Sequence, residues 1–176
     1  EISYDRDGEM ARRGKVLEPI LKKAMEHPYF KKVPPKATGH EDFGEEYVRW
    51  WLSHDPEATL EDWLATACEW TACSIVDAYR RFLGINEHTI EIIVSGGGSQ
   101  NSYLMERLRS LGSKWDWKTS DDLGLPSDAK EAVGFAILGY CTLQGIPANV
   151  PSVTGAKHPV VLGKIAPGGI GIAAHC

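Results

Sequence analysis

Thr89-Ile90-Glu91-Ile92-Ile93-Val94-Ser95-Gly96-Gly97-Gly98-Ser99-Gln100-Asn101 is the stretch on which the fold turns. A β-branched apolar run empties into three consecutive glycines, and a helical pattern begins directly after them. Three glycines remove every side chain from the turn, so another molecule can approach the backbone closely. The helix that follows is expected to point its free N–H groups and positive dipole end into the same space. Strand, bare turn and helix in that order are a common way of holding a nucleotide.

The letters exclude two familiar phosphate loops. A Walker A loop needs Lys followed by Ser or Thr after its second glycine, and this segment has no lysine. The dinucleotide fingerprint wants Gly or Ala at the position of Asn101. A methyltransferase-type glycine loop stays open, as does a tight strand-to-helix turn with no ligand. The methyltransferase reading needs an acid ending the next strand, and Trp115–Thr119 leads to Asp121-Asp122 only past a serine.

The chain has 176 residues, enough for one good core or one lobe of a larger enzyme. It is 43% hydrophobic and 24% charged, the composition of an ordinary globular protein. A formal net charge of -5 without any basic block argues against nucleic acid as a partner. No apolar run approaches membrane-spanning length, and the first residues lack the apolar stretch of a secretory signal. Cys68, Cys73, Cys141 and Cys176 form no C-x-x-C pair and no zinc-ligand pattern with histidine. Reduced, buried thiols are expected, which fits a cytoplasmic protein.

Outward from the glycines, Leu104, Leu108 and Leu111 line one face of a helix. Trp115 to Thr119 reads as a short strand, and Asp121–Pro126 as a turn. A second core helix is expected from about Ala129 to Leu143, thinned by Ala132, Gly134, Ala136 and Gly139. Asp128-x-x-Glu131 resembles a reciprocal cap at its start. Val160 to Ile165 reads as a final strand.

Towards the N-terminus, the longest helix starts at the capping box Thr59-x-x-Asp62 and stops at Gly84. Its expected apolar positions are Leu60, Trp63, Leu64, Ala67, Thr71, Ile75, Ala78 and Phe82. Residues 45–53 form a shorter helix. The segment Val33 to Phe43 is stiffened by Pro34-Pro35, which governs where Lys36 is presented. Residues 1–30 form a short helical region interrupted at Gly14 and closed by His27-Pro28. The fold class is therefore α/β, helix-rich, with a partial central sheet. Ile90–Val94 reads as buried on both faces, so further strands from sequence before Glu1 are expected to complete the sheet.

Several segments together resemble the anhydro-N-acetylmuramic acid kinase family, which includes levoglucosan kinases. They are Tyr4-Asp5-Arg6-Asp7-Gly8 with Ala11 and Gly14, His27-Pro28-Tyr29-Phe30, and Pro34-Pro35-Lys36-Ala37-Thr38-Gly39-His40-Glu41-Asp42-Phe43. Ala65-Thr66 with Thr71-Ala72, Ser95-Gly96-Gly97-Gly98 with Asn101, and Glu131-Ala132 with Phe135-Ala136 follow. Pro151-Ser152-Val153-Thr154-Gly155-Ala156 with Leu162-Gly163 completes the set, in the family's order.

The resemblance implies an actin-like, ribonuclease H-like sugar kinase that binds ATP with Mg2+ between two lobes and acts as a homodimer. Water opens a 1,6-anhydro ring while ATP phosphorylates the released 6-oxygen. It further implies that residues 1–176 are the C-terminal lobe. The segment carrying the catalytic aspartate is expected before Glu1, so the isolated chain is expected to be inactive. Gly96, Gly97, Gly98 and Asn101 are the implied adenosine contacts, and Lys36 a contact to phosphate. Glu131 is implied to face the sugar and help orient the water, with Thr154 and Gly155 shaping the sugar side. No residue is assigned to a metal.

His40 stands where the family commonly has arginine and Ala37 where it has serine, which leaves open an acceptor without the lactyl carboxylate, such as levoglucosan. A non-catalytic nucleotide-binding module is the remaining alternative.

Overall fold

The computed structural model describes residues 4–84 and 90–166. It divides into two compact units, Glu1–Ser127 and Asp128–Cys176, each treated by itself below.

The first unit is organised on one long helix. Its helices are α1 (Glu9–Arg13), α2 (Glu18–Met25), α3 (Pro28–Lys31), α4 (His40–Phe43), α5 (Glu45–Leu52), α6 (Leu60–Phe82) and α7 (Ser102–Leu111). Its strands are β1 (Glu91–Val94) and β2 (Asp116–Thr119). Helix α6 starts as the capping box requires: Thr59 Oγ1 accepts from the Asp62 N–H and Asp62 Oδ2 from the Thr59 N–H, both at 3.2 Å. It stops at Leu83, and Gly84 takes the left-handed conformation at φ 65°.

Helices α1, α2 and α7 all pack on α6. That crowding moves the buried face away from the expected stripe. Trp63, Ala65, Thr66, Glu69, Ala72 and Val76 are buried, whereas Leu60 is 59% exposed. Fully buried Ala65 and Ala72 keep the helix thin. Glycine does the same at the start: a Cβ on Gly14 would lie 2.0 Å from the Glu61 carbonyl oxygen. Buried Thr66 and Glu69 are both bonded, whereas the Trp51 and Trp70 indole N–H groups have no partner among the described residues. Thr66 Oγ1 accepts from the Leu17 N–H at 2.9 Å and donates to the Asp62 carbonyl at 2.7 Å.

Two apolar clusters result. One joins Ala72 and Val76 of α6, Met105 and Leu108 of α7, and Ile92, Trp115 and Trp117. The other joins Ile20 and Ala24 of α2 with Trp51 and Trp63. Val76, Met105 and Leu108 are each only 2% exposed, so each contributes about 1.5–3 kcal/mol of burial.

β1 and β2 are parallel, with Ile92 opposite Trp117 and Val94 opposite Thr119. Helix α7 is the crossover that parallel pairing demands. The expectation of a strand buried on both faces is corrected: Ile92 is buried, but Ile93 is 49% exposed. Only one face of this pair is covered by described residues. Thr89 lies outside them.

In the second unit, α8 (Lys130–Leu143) and α9 (Pro151–Thr154) are joined by a turn at Gly145, φ 66°. Three expectations fail here. No residue of α8 is buried, because a four-residue helix and an irregular segment are too small to cover it. Its N-cap is Ala129 with no side-chain cap bond, so the reciprocal cap of Asp128 and Glu131 does not form. Residues 160–165 form no strand, and Gly163 within them bends the chain at φ 90°. They meet residues 148–149, which belong to no strand either: Ala148 N donates to the Val160 carbonyl at 3.2 Å and Val160 N to Asn149 Oδ1 at 2.6 Å.

Candidate functional site

The three glycines leave β1 as a bare turn. Gly96 adopts φ 89°, ψ -178°, a backbone conformation that only glycine takes without strain. Gly97–Gln100 then form one turn of 3-10 helix, and Asn101 returns to an extended conformation before α7. A Cβ on Gly96 or Gly97 would meet nothing within 4 Å, and one on Gly98 only Leu104 Cδ2 at 3.8 Å. The open space expected from the sequence is there.

The expected free helix terminus is not. The α-helix begins only at Ser102, and two of its first three N–H groups are already bonded. Asn101 Oδ1 accepts from the Leu104 N–H at 2.9 Å, and Asp7 Oδ1 from the Ser102 N–H at 3.0 Å. An N-cap and an incoming carboxylate satisfy this end of α7 from within the protein. The turn itself is pinned by a hydroxyl cluster. Ser99 Oγ lies 2.7 Å from the Gly96 carbonyl and 3.0 Å from Ser127 Oγ, which also donates to Asp121.

Residues 4–8 form the wall facing this turn. Asp5 caps α1, its two carboxylate oxygens accepting from the Met10 and Ala11 N–H groups at 2.9 Å each. Asp7 sits at φ 57°, which is uncommon for a residue with a side chain. It is held there by Ser102, whose hydroxyl also donates to the Asp7 carbonyl at 3.1 Å. The Ser102 N–H and hydroxyl keep the Asp7 carboxyl below the usual range. Gly8, at φ 71°, allows the closest approach: a Cβ there would lie 2.3 Å from Asn101 Oδ1.

Between the walls is a cavity of about 730 Å³, within the size range of small-ligand sites. Tyr4, Asp5, Arg6 and Asp7 line one side. Gly97, Gly98, Gln100, Asn101 and Leu104 line the other. Glu69 of α6 accepts from Arg107 of α7 at 2.5 and 3.1 Å, which fixes the helix behind the turn.

The remaining sequence-predicted residues lie in several places. Asn101 lines the cavity, but its amide is committed: Oδ1 caps α7, and Nδ2 lies 3.9 Å from Cys68 Sγ. The Lys36 ammonium donates to the Tyr29 carbonyl at 3.3 Å and sits over the Tyr29 and Phe82 rings, and Lys36 is not among the cavity's lining residues. Glu131 stands exposed in the first turn of α8. Thr154 and Gly155 end α9, Thr154 Oγ1 donating to the Val150 carbonyl at 3.1 Å and Gly155 taking φ 75°. All three belong to the second unit. His40 opens α4 at the surface.

Cys68, Cys73 and Cys141 are free thiols, and Cys176 lies outside the described residues. Burial, with Glu69 beside it, pushes the Cys73 thiol up to about 11. No group of three His, Cys, Asp or Glu side chains able to hold a metal occurs among the described residues. No described helix is long and apolar enough to cross a membrane.

Sequence reasoning missed Tyr4, Asp5, Arg6, Asp7 and Gln100 as cavity residues. The cluster Tyr4–Gly8 was visible as a motif, but nothing in the spacing places it against residues 97–104.

A sequence profile of the family described as anhydro-N-acetylmuramic acid kinase matches residues 1–168. Proteins named anhydro-N-acetylmuramic acid kinase are among the relatives. That of Bacillus cereus strain B4264 is 44% identical over 167 residues, covering 94% of this chain and 43% of the relative. That of Streptomyces avermitilis is 43% identical over 172 residues, covering 97% and 43%. That of Cyanothece sp. strain PCC 7425 is 42% identical over 166 residues, covering 93% and 43%. The chain thus spans less than half the length of these relatives.

Proposed function

Since this chain belongs to the anhydro-N-acetylmuramic acid kinase family, we propose that it is the C-terminal, adenosine-holding lobe of an actin-like kinase acting on 1,6-anhydro-sugars. In the whole enzyme, water opens the anhydro ring and ATP phosphorylates the released 6-oxygen. The single observation that carries the assignment to this chain is the cavity beside Gly97 and Gly98, where bare backbone faces open space.

Phosphoryl transfer depends mainly on positioning and electrostatics. This chain's contribution is to position. The turn at Gly96–Gly98 admits the adenosine, while the Ser99–Ser127–Asp121 cluster and the Asn101 cap keep the turn in shape. Glu131 is the supporting carboxylate on the sugar side, bonding sugar hydroxyls or orienting water. Its lack of a capping bond supports that role. Thr154 and Gly155 shape the same side. Mg2+ accompanies the ATP phosphates in such kinases, and this chain's described residues offer it no ligand cluster. The base towards water and the main phosphate contacts belong to the other lobe, so this polypeptide alone is inactive. The intact enzyme is a cytoplasmic homodimer.

The test is ATP-dependent phosphorylation of 1,6-anhydro-N-acetylmuramic acid and of levoglucosan, by the full-length protein and by residues 1–176. Turnover by the full-length protein alone is expected, with the faster acceptor naming the sugar. Substantial turnover by residues 1–176 refutes the single-lobe reading, and absence of turnover with both sugars refutes the kinase reading.

A further inference from the structure

Most polar groups around the glycine cavity are already occupied. Both oxygens of Asp5 accept from α1, Asp7 Oδ1 accepts from Ser102, and the Asn101 amide is divided between Leu104 and Cys68. Arg6, Gln100 and Tyr4 are different. Each lines the cavity, each is exposed, and none has a side-chain hydrogen bond or ion pair with a described residue. Arg6 is also presented from fixed backbone, because Asp5 is tied to α1 on one side and Asp7 to Ser102 on the other.

Charge then decides which part of a nucleotide suits these groups. Two carboxylates against one guanidinium make a poor seat for a polyanionic phosphate chain, but a good one for an uncharged base and its ribose. A guanidinium is flat, weakly hydrated and stacks on π faces. A carboxamide offers a donor and an acceptor side by side, the pattern that pairs with the N6/N7 edge of adenine.

We propose that Arg6 stacks on the adenine ring from the wall opposite Gly97 and Gly98, and that Gln100 reads the edge of the base. This rests on the reading of the cavity as a nucleotide site. Arg6 is a binding residue for the base, and Asp5 and Asp7 are positioning residues that hold it there.

Titration calorimetry of the full-length protein with adenosine, ADP and GDP tests the assignment. Arg6→Ala is expected to weaken adenosine and ADP by the same factor, about tenfold, since the lost contact is to the part they share. Arg6→Lys, which keeps the charge but not the plane, is expected to recover little of either. Gln100→Ala is expected to narrow the preference for ADP over GDP. An unchanged melting temperature confirms that each variant is folded. Loss of ADP affinity alone on Arg6→Ala, with recovery by Arg6→Lys, makes Arg6 a phosphate contact and overturns the proposal. No change with either ligand overturns it too. If the wild-type protein binds neither adenosine nor ADP, the nucleotide reading itself fails.

Discussion

Replacing Gly8 by alanine tests how the two walls of the cavity are held together. Gly8 sits at φ 71°, so any Cβ there costs about 1–2 kcal/mol of backbone strain. The added carbon also lands 2.3 Å from Asn101 Oδ1 and 2.7 Å from Tyr103 Cβ. Asn101 must swing away and surrender its bond to the Leu104 N–H, a cap loss of about 1 kcal/mol. Tyr103 Cβ is anchored to the helix and cannot swing, so overpacking adds about 1–3 kcal/mol. The expected destabilisation is about 3–6 kcal/mol.

Gly124→Ala is the control. Gly124 has φ 80° but nothing within 4 Å of its Cβ position, so only the strain of about 1–2 kcal/mol applies. All six tryptophans lie between Trp50 and Trp117, within the first unit. Urea unfolding followed by tryptophan fluorescence therefore reports on that unit alone. Gly8→Ala should also weaken ADP binding in the full-length protein, while Gly124→Ala leaves it unchanged. Equal unfolding free energies for the two variants would refute the claim that the Gly8–Asn101 approach is tight.

Gly14→Ala should cost at least as much as Gly8→Ala, because its Cβ meets the Glu61 backbone rather than a side chain. Relief there strains the Lys15 N–Asp62 and Leu17 N–Thr66 bonds, and the same urea titration measures it. Glu69→Ala strands Arg107, which is about one-third exposed, and should destabilise by about 2–4 kcal/mol. Glu69→Leu combined with Arg107→Met should recover most of that loss; a double variant no better than the single one contradicts this.

Acid stability follows from four aspartates held below the usual carboxylate range. Asp7 is held by the Ser102 N–H, Asp62 by the Lys15 N–H, Asp121 by the Ser127 hydroxyl and Asp122 by the Thr119 N–H. A depressed folded-state value stabilises fully above the unfolded value, about 3.9, and the contribution vanishes as pH falls through the folded values. Their contribution should thus be constant from neutral pH down to about 5 and fall away below about 4. Asp62→Asn should flatten the acid limb of melting temperature against pH.

Local signals were legible where one side chain answers to its own neighbours. Thr59 and Asp62 close their box, Gly84 ends α6, and Trp115–Thr119 pairs with β1 in parallel. Long-range packing was not legible. The buried face of α6 runs through Thr66 and Glu69, polar letters that a hydrophobic count passes over. They are buried because Leu17 and Arg107 bring partners from 49 and 38 residues away. Helix α8 failed in the opposite sense: its letters are those of a core, but the described residues of its unit cover it only in part and bury none of them. At the site, the glycines were readable and the occupancy of α7's first N–H groups was not. No spacing rule connects Asp7 to Ser102.

That last contact closes a loop of 95 residues. Bringing such distant points together carries a loop-closure entropy that local helices do not bear, and long-range closure slows folding. The cavity is therefore a latecomer in assembly: α6 can be fully wound while its two walls are still apart. A molecule bound between the walls bridges the two ends of that loop, and amide exchange at Ser102 should slow on its arrival before exchange in mid-α6 responds.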